Sequence, residues 1–287
     1  MRSAKSKYEC FYNPLNCLDN STKLLYFVFM KNDASPADNQ TCNSPFERPQ
    51  HWFQIPYLDS FFGSEQFKPT IILIYMAIAL CCWKCLPVKP DLSALEPNCR
   101  STFFFGCWRI FAAFGFFGVV PVLIVKLIFR EKLSDYGVQF GYVKRTIMWT
   151  SLFTPVFIVL GAASASFSDF SSVYPLNPAC QWSGSLNWFL VHAISYIFLY
   201  YTAYEFFFRG FLLKGLTPTC GAVNALLIQT AVSTFFHFGH PGAELWGALA
   251  GGLLWGFIAF RTRSIISSWV QHAALGVALD WALTFGF

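Results

Sequence analysis

The sequence predicts an all-α, polytopic transmembrane bundle of about seven to eight spanning helices, and three observations carry that expectation. Only 12% of the 287 residues are charged, against about 25% in an ordinary soluble domain, while 55% are hydrophobic and 20% aromatic. The apolar residues fall in long uninterrupted runs, which a bilayer explains and a single soluble core does not; mean hydropathy is +0.45. The net charge is +5, and the basic residues sit mostly in short loops between those runs, as a positive-inside bias requires. No basic cluster is large enough for nucleic acid. The lipid bilayer is the expected partner.

Residues 1–66 read as a polar N-terminal region with Pro14, Pro36, Pro45, Pro49 and Pro56. Its start is basic but lacks the apolar stretch of a cleaved signal. Asn20 and Asn39 each begin a glycosylation triplet, which the orientation given below argues against using. Candidate spans follow at 69–86, 102–129, 146–165, 187–213, 222–238, 244–260 and 265–286. Each is near the ~20 residues that cross ~30 Å of hydrocarbon. The first is the weakest, because Lys84 and Pro87 interrupt it. Residues 67–186 are thus the first membrane helices and 187–287 a polar-bearing core. Loop charge (Arg130, Lys132, Lys144, Arg145, Lys214, Arg261, Arg263) orients the N-terminus to the cytoplasm and the chain in the cytoplasmic membrane. Of ten cysteines, Cys81, Cys82, Cys107 and Cys220 read as small buried hydrophobes. Cys82 and Cys85 form a lone CxxC, which is weak for zinc. Cys10, Cys17 and Cys42 are free to pair without any requirement that they do.

Ionisable residues in spanning segments are expensive and tend to face the bundle interior. Here they gather in the last third: Glu205, Arg209, His237, His240, Glu244, His272 and Asp280. Earlier spans hold only Arg109, Lys126 and His192; the two cations can snorkel, and His192 reads as a hydrogen-bonded core histidine. Glu205 and Arg209 are four residues apart and can pair on one helix face. Gln229, Ser233 and His237 form a polar stripe, and His272, Gly276 and Asp280 repeat its spacing. Helical rise places Glu205 and His272 at a depth of about 12 Å and His237 and Asp280 at about 22–24 Å. Two polar layers are therefore expected, Glu205 with His272 and His237 with Asp280. A carboxylate and two histidines leave three readings open: a Zn²⁺ site with Glu205, His237 and His272 as ligands, metal-free hydrolysis by an activated water, or a polar network that fixes helix packing.

"YEFFFRGFLL" (204–213), "STFFHFGHP" (233–241) and "WVQHAALGVALD" (269–280) resemble, in order and spacing, the three motifs of the CPBP family. That family comprises the type II CAAX prenyl proteases and bacteriocin-processing (Abi) enzymes, with motifs Glu-Glu-x3-Arg, Phe-x3-His and His-x3-Asn. "REKLSDYGVQFG" (130–141) and "LLWGFIAFRTRSI" (253–265) are similar to its lead-in and connecting stretches. The resemblance implies a polytopic membrane peptidase acting on a peptide or protein substrate, prenylated or otherwise membrane-bound. It implies that Glu205 and His237 activate water, that Arg209 holds the carboxylate, and that His272 supports the oxyanion. Tyr204 stands where the family has its first glutamate, Ser233 where it has phenylalanine, and Gly276 where it has asparagine. Consecutive helix residues point ~100° apart, so Glu205 cannot replace a residue at 204 without a shift. His240 is the second choice for the motif-two histidine, and Asp280 a substitute orienting group for His272.

Alternatives to a peptidase are a non-catalytic scaffold or chaperone-like member, which the Tyr204 and Gly276 departures favour, and a proton-coupled carrier, which lacks inverted repeats.

Overall fold

The computed structural model describes residues 64–85, 107–176 and 186–286, and every element there is helical. The polar region 1–66 falls outside them save for 64–66, as do its glycosylation triplets, Cys10, Cys17, Cys42, Lys89 and Arg100. We number the helices α1 (Phe67–Cys85), α2 (Cys107–Phe129) and α3 (Val143–Ser164), then α4 (186–220), α5 (222–236), α6 (Gly242–Thr262) and α7 (Ile266–Phe285). Five helices among the described residues are long and apolar enough to cross a membrane. That is fewer than the seven to eight expected, for two reasons. Leu186–Phe236 is one continuous helical stretch of 51 residues, broken in direction only at Gly221. Ile266–Phe285 carries Gln271, His272 and Asp280, which lower its hydropathy.

The exposure pattern is inverted relative to a soluble protein. Leu127, Ile147, Val159 and Val223 are exposed, whereas Glu205, Arg209, Gln229, Gln271 and Asp280 are buried. Apolar side chains thus face the lipid, and polar groups, which lipid cannot satisfy, turn inward. The thiols follow the expectation of burial only in part: Cys81 is exposed, as is Cys85, whereas Cys82, Cys107 and Cys220 are half-buried free cysteines, and Cys220 packs against the core. In lipid an apolar thiol gains nothing by facing the core.

Small residues let the helices approach closely. Gln229 on α5 donates through Nε2 to the Gly252 carbonyl of α6 at 2.8 Å. On the other side, α3 lies along α7: Gln271 Nε2 donates to the Trp149 carbonyl at 2.9 Å, and Thr150 Oγ1 to Ser267 Oγ at 2.9 Å. The loop after α2 docks on the loop after α6 through Tyr142 N to Thr262 O, Ile265 N to Gly137 O and Ser264 Oγ to Gln139 O. Lys68 pairs with Glu131 at 2.7 Å, and the Tyr136 hydroxyl also donates to that carboxylate. Burial, with Glu131 beside it, raises the Tyr136 phenol well above its ordinary pKa. Lys214 and Arg263 border the same loops, so one end of the bundle is basic. The opposite end carries the 164–174 segment and the 237–241 turn.

A close helix contact sets a test. A Cβ at Gly161 would lie 2.1 Å from the Leu275 carbonyl oxygen, a backbone atom that cannot swing aside. Gly161→Ala is expected to lower stability by about 1–3 kcal/mol, read as the unfolding midpoint in detergent, while Val159→Ala on the exposed face leaves it nearly unchanged.

Candidate active site

The site is built around α4. π-helical turns at Tyr196–Tyr201 and Phe206–Lys214 flank the four-residue α-helical stretch Thr202–Glu205. Such widened turns are common at functional sites. Every residue from Phe206 to Leu213 is buried, so this part of α4 is enclosed on all sides, and any charge on it must be met by the protein itself.

Glu205 meets that demand twice. His272 donates from Nδ1 to Glu205 Oε1 at 2.7 Å, and Arg209 Nη1 lies 3.3 Å from the same oxygen. The structure thus brings Glu205 and His272 together, as the depth count expected. The Arg209 guanidinium also sits within 6 Å of the Trp255, Tyr204 and Phe208 ring centroids, at 5.3, 5.7 and 5.8 Å, where ring quadrupoles favour a cation. Its Nε and Nη1 have no hydrogen-bond partner among the described residues.

A cavity of about 440 Å³ opens beside this pair. Arg209, His237, Glu244 and His272 line it, together with Tyr201 and Tyr204, and its far wall is apolar, from α3 and α7. Glu205 is not among its lining residues: it lies behind His272, because its direction from α4 differs from that of Tyr204. The Tyr204 ring stands between the two histidines, 5.0 Å from His272 and 6.3 Å from His237 between centroids. His272 is stacked on Trp255 at 4.3 Å, and Trp255 is fixed by its own donation to Gln271 at 3.0 Å.

His237 ends α5 and belongs to a second cluster. Its Nδ1–H donates to the Ser233 carbonyl at 2.7 Å, so in the neutral ring Nε2 carries the lone pair. That nitrogen lies 3.6 Å from Glu244 Oε1. The same oxygen accepts from Tyr174 Oη at 2.5 Å and from His240 Nδ1 at 3.0 Å, while Glu244 Oε2 is buried without a hydrogen-bond partner among the described residues.

Several expectations need correcting against this geometry. Glu205 is engaged by His272 and Arg209, whereas the carboxylate beside His237 is Glu244. His237 and Asp280 do not form a layer: Asp280 Oδ2 is bonded to His192 Nε2 at 2.8 Å, both side chains being 1% exposed. Asp280 therefore does not orient His272, a task that falls to Glu205. Glu205, His237 and His272 do not converge as zinc ligands, and no group of three or more His, Cys, Asp or Glu among the described residues could hold a metal ion. His240 faces Glu244 instead of serving as the motif-two histidine's replacement.

Gly276 is explained by its neighbour. A Cβ at 276 would lie 1.7 Å from the Tyr201 hydroxyl oxygen. The Tyr201 hydroxyl thus fills the place where a side chain at 276 would begin. Its ring is 4.7 Å from His272.

Sequence reasoning missed Glu244, Tyr174 and Tyr201 as site residues. Glu244 sits in the first turn of α6 after Pro241, where an acidic residue is ordinary helix-terminus electrostatics. The available signal was its spacing of seven from His237 across a short turn.

Residues 186–278 match the family model described as Type II CAAX prenyl endopeptidase Rce1-like. The match is consistent with the CPBP family and spans Glu205, His237 and His272. No curated protein and no solved structure matches the chain.

The Glu205–Arg209–His272 group makes a stability test. Arg209→Met leaves the buried carboxylate short of its cation and is expected to destabilise by about 3–5 kcal/mol. Adding Glu205→Gln to that variant recovers a large part of the loss. Denaturation in detergent of the two single variants and the double variant measures the coupling.

Proposed function

We propose that this integral membrane protein is an intramembrane endopeptidase, which hydrolyses a peptide bond with a water activated in the cavity between His237 and His272. The observation that supports this best is that histidines from two separate motifs line one largely apolar cavity, one of them held by a buried carboxylate at 2.7 Å.

In this reading His237 is the general base. Its Nδ1–H is committed to Ser233, so Nε2 accepts the proton of a water whose oxygen attacks the scissile carbonyl carbon. The proton then passes from Nε2 to the leaving amine as the C–N bond breaks. His272, held at Nδ1 by Glu205, presents Nε2 to the carbonyl oxygen. In its protonated form it donates to the developing oxyanion, and Glu205 stabilises the imidazolium as a positioning residue. The Tyr201 hydroxyl, standing where a side chain at 276 would begin, is the second oxyanion donor. Arg209 holds Glu205 ionised and adds positive potential to the cavity.

A substrate in a bilayer presents an extended peptide with an apolar anchor. The polar groups on α4 and the 237–244 segment face the peptide, and the apolar wall from α3 and α7 faces the anchor. The positive-inside bias assigns the basic end of the bundle to the cytoplasm. The mouth by Tyr174 and Glu244 then lies toward the other side.

The non-catalytic reading rests on Tyr204 and Gly276. Cleavage of fluorogenic peptides, unmodified and farnesylated, by protein reconstituted in lipid discriminates the two. Wild type is expected to cleave at least one set. His237→Ala and His272→Ala are expected to lower kcat by about 10²–10⁴, and Tyr201→Phe by about 10²–10³. Equal turnover in wild type and both histidine variants, or no cleavage by wild type, rejects the peptidase.

A further inference from the structure

Tyr204 leaves the cavity without a carboxylate at the position where α4 would present one, and Glu205, one residue on, points behind His272. The cavity nevertheless contains a carboxylate. It comes from α6.

We propose that Glu244 is a catalytic residue of this peptidase: together with His237 it holds and orients the attacking water, taking over from a different helix the role that Tyr204 cannot perform. The proposal rests on the peptidase reading above. Glu244 lines the cavity, and its Oε1 lies 3.6 Å from His237 Nε2. That separation is too long for a direct hydrogen bond, so the carboxylate lies beside the ring without being bonded to it. Tyr174 Oη and His240 Nδ1 both donate to Oε1 and so occupy its two lone pairs. Oε2, buried and without a partner, is the acceptor left over. Buried polar atoms are nearly always satisfied, so an orphaned one marks a missing partner.

A water there has both protons assigned. One O–H points to His237 Nε2 and is transferred as the oxygen attacks the carbonyl carbon. The other O–H donates to Glu244 Oε2 and stays on the oxygen, which becomes part of the tetrahedral intermediate. A lone pair of the oxygen faces the substrate. The imidazolium formed at His237 then lies beside the Glu244 charge, which stabilises it until the proton reaches the leaving amine. Tyr174 and His240 are positioning residues, since they fix the carboxylate without touching the water.

The test is Glu244→Gln, which keeps the shape and an acceptor oxygen for Tyr174 and His240 but removes the charge. In the reconstituted peptide assay kcat is expected to fall about 10²-fold or more with KM nearly unchanged. Added formate is expected to restore part of the turnover to Glu244→Ala, a recovery that a merely structural role would not give. Thermal unfolding checks that the variants fold. If Glu244→Gln does not, Glu244→Asp keeps the charge but withdraws it, and is expected to lose at least about tenfold in kcat. Wild-type kcat in a folded Glu244→Gln, or in Glu244→Asp where the glutamine variant does not fold, with His237→Ala inactive, overturns the role of Glu244 and leaves the peptidase standing. Absence of cleavage by wild type, or full activity of His237→Ala, overturns both.

Discussion

A carboxylate cannot remain charged inside a helical bundle surrounded by lipid unless the protein supplies its counter-charge and its hydrogen bonds. Glu205 is fully buried, and the arrangement of the last four helices follows from what it needs. Arg209 comes from the next turn of the same helix, and His272 comes from α7, sixty-seven residues later. The hydrogen bond from His272 fixes the rotation of α7 about its axis. That rotation in turn places Gln271 against Trp149 on α3 and against the Trp255 indole on α6. Helix packing in lipid has no hydrophobic drive of its own, so a polar tie of this kind, together with close glycine contacts, carries the specificity of assembly.

The same tie accounts for the division of labour in the cavity. A carboxylate bonded to a histidine and paired with an arginine through one oxygen is already engaged on the side that faces them, and it sits behind the ring it orients. It is well suited to holding His272 and poorly placed to meet a substrate. The cavity is lined by other polar side chains, Arg209, His237, His272, Glu244 and Tyr201 among them. The two departures at Tyr204 and Gly276 are therefore connected to their surroundings. One residue inserts a ring between the histidines, and the other makes room for a phenol from the preceding π-helical turn of α4.

How much of this could be read from the sequence depends on the range of the interaction. Hydropathy found the helices of the described region, because length and apolar content are local properties. The pairing of Glu205 with Arg209 was legible from its spacing, and that with His272 from helical rise counted from opposite ends. The partnership of Asp280 was misread because depth gives height but not direction. Asp280 faces α4 where His192 lies, and the π-helical turns of α4 alter which residues share a face. Glu244 was seen but given no role, since its partner Tyr174 comes from the segment beyond α3, seventy residues away in the chain. Cys81 was misread for a simpler reason: burial statistics from water-soluble cores do not apply where the outside is itself apolar.

Gly221 has a backbone of φ 76° and ψ 160°, a region open in practice to glycine alone. It joins the helix that carries Glu205 and Arg209 to the helix that ends in His237, with no intervening loop. Two halves of the cavity wall are thus arms of one continuous rod, folded at a single joint. A loop would let the arms settle independently, but a one-residue elbow transmits any change in its angle along the fifteen residues of α5 to the histidine at the far tip. The spacing across the cavity is therefore governed by the torsion angles of one residue that never touches it.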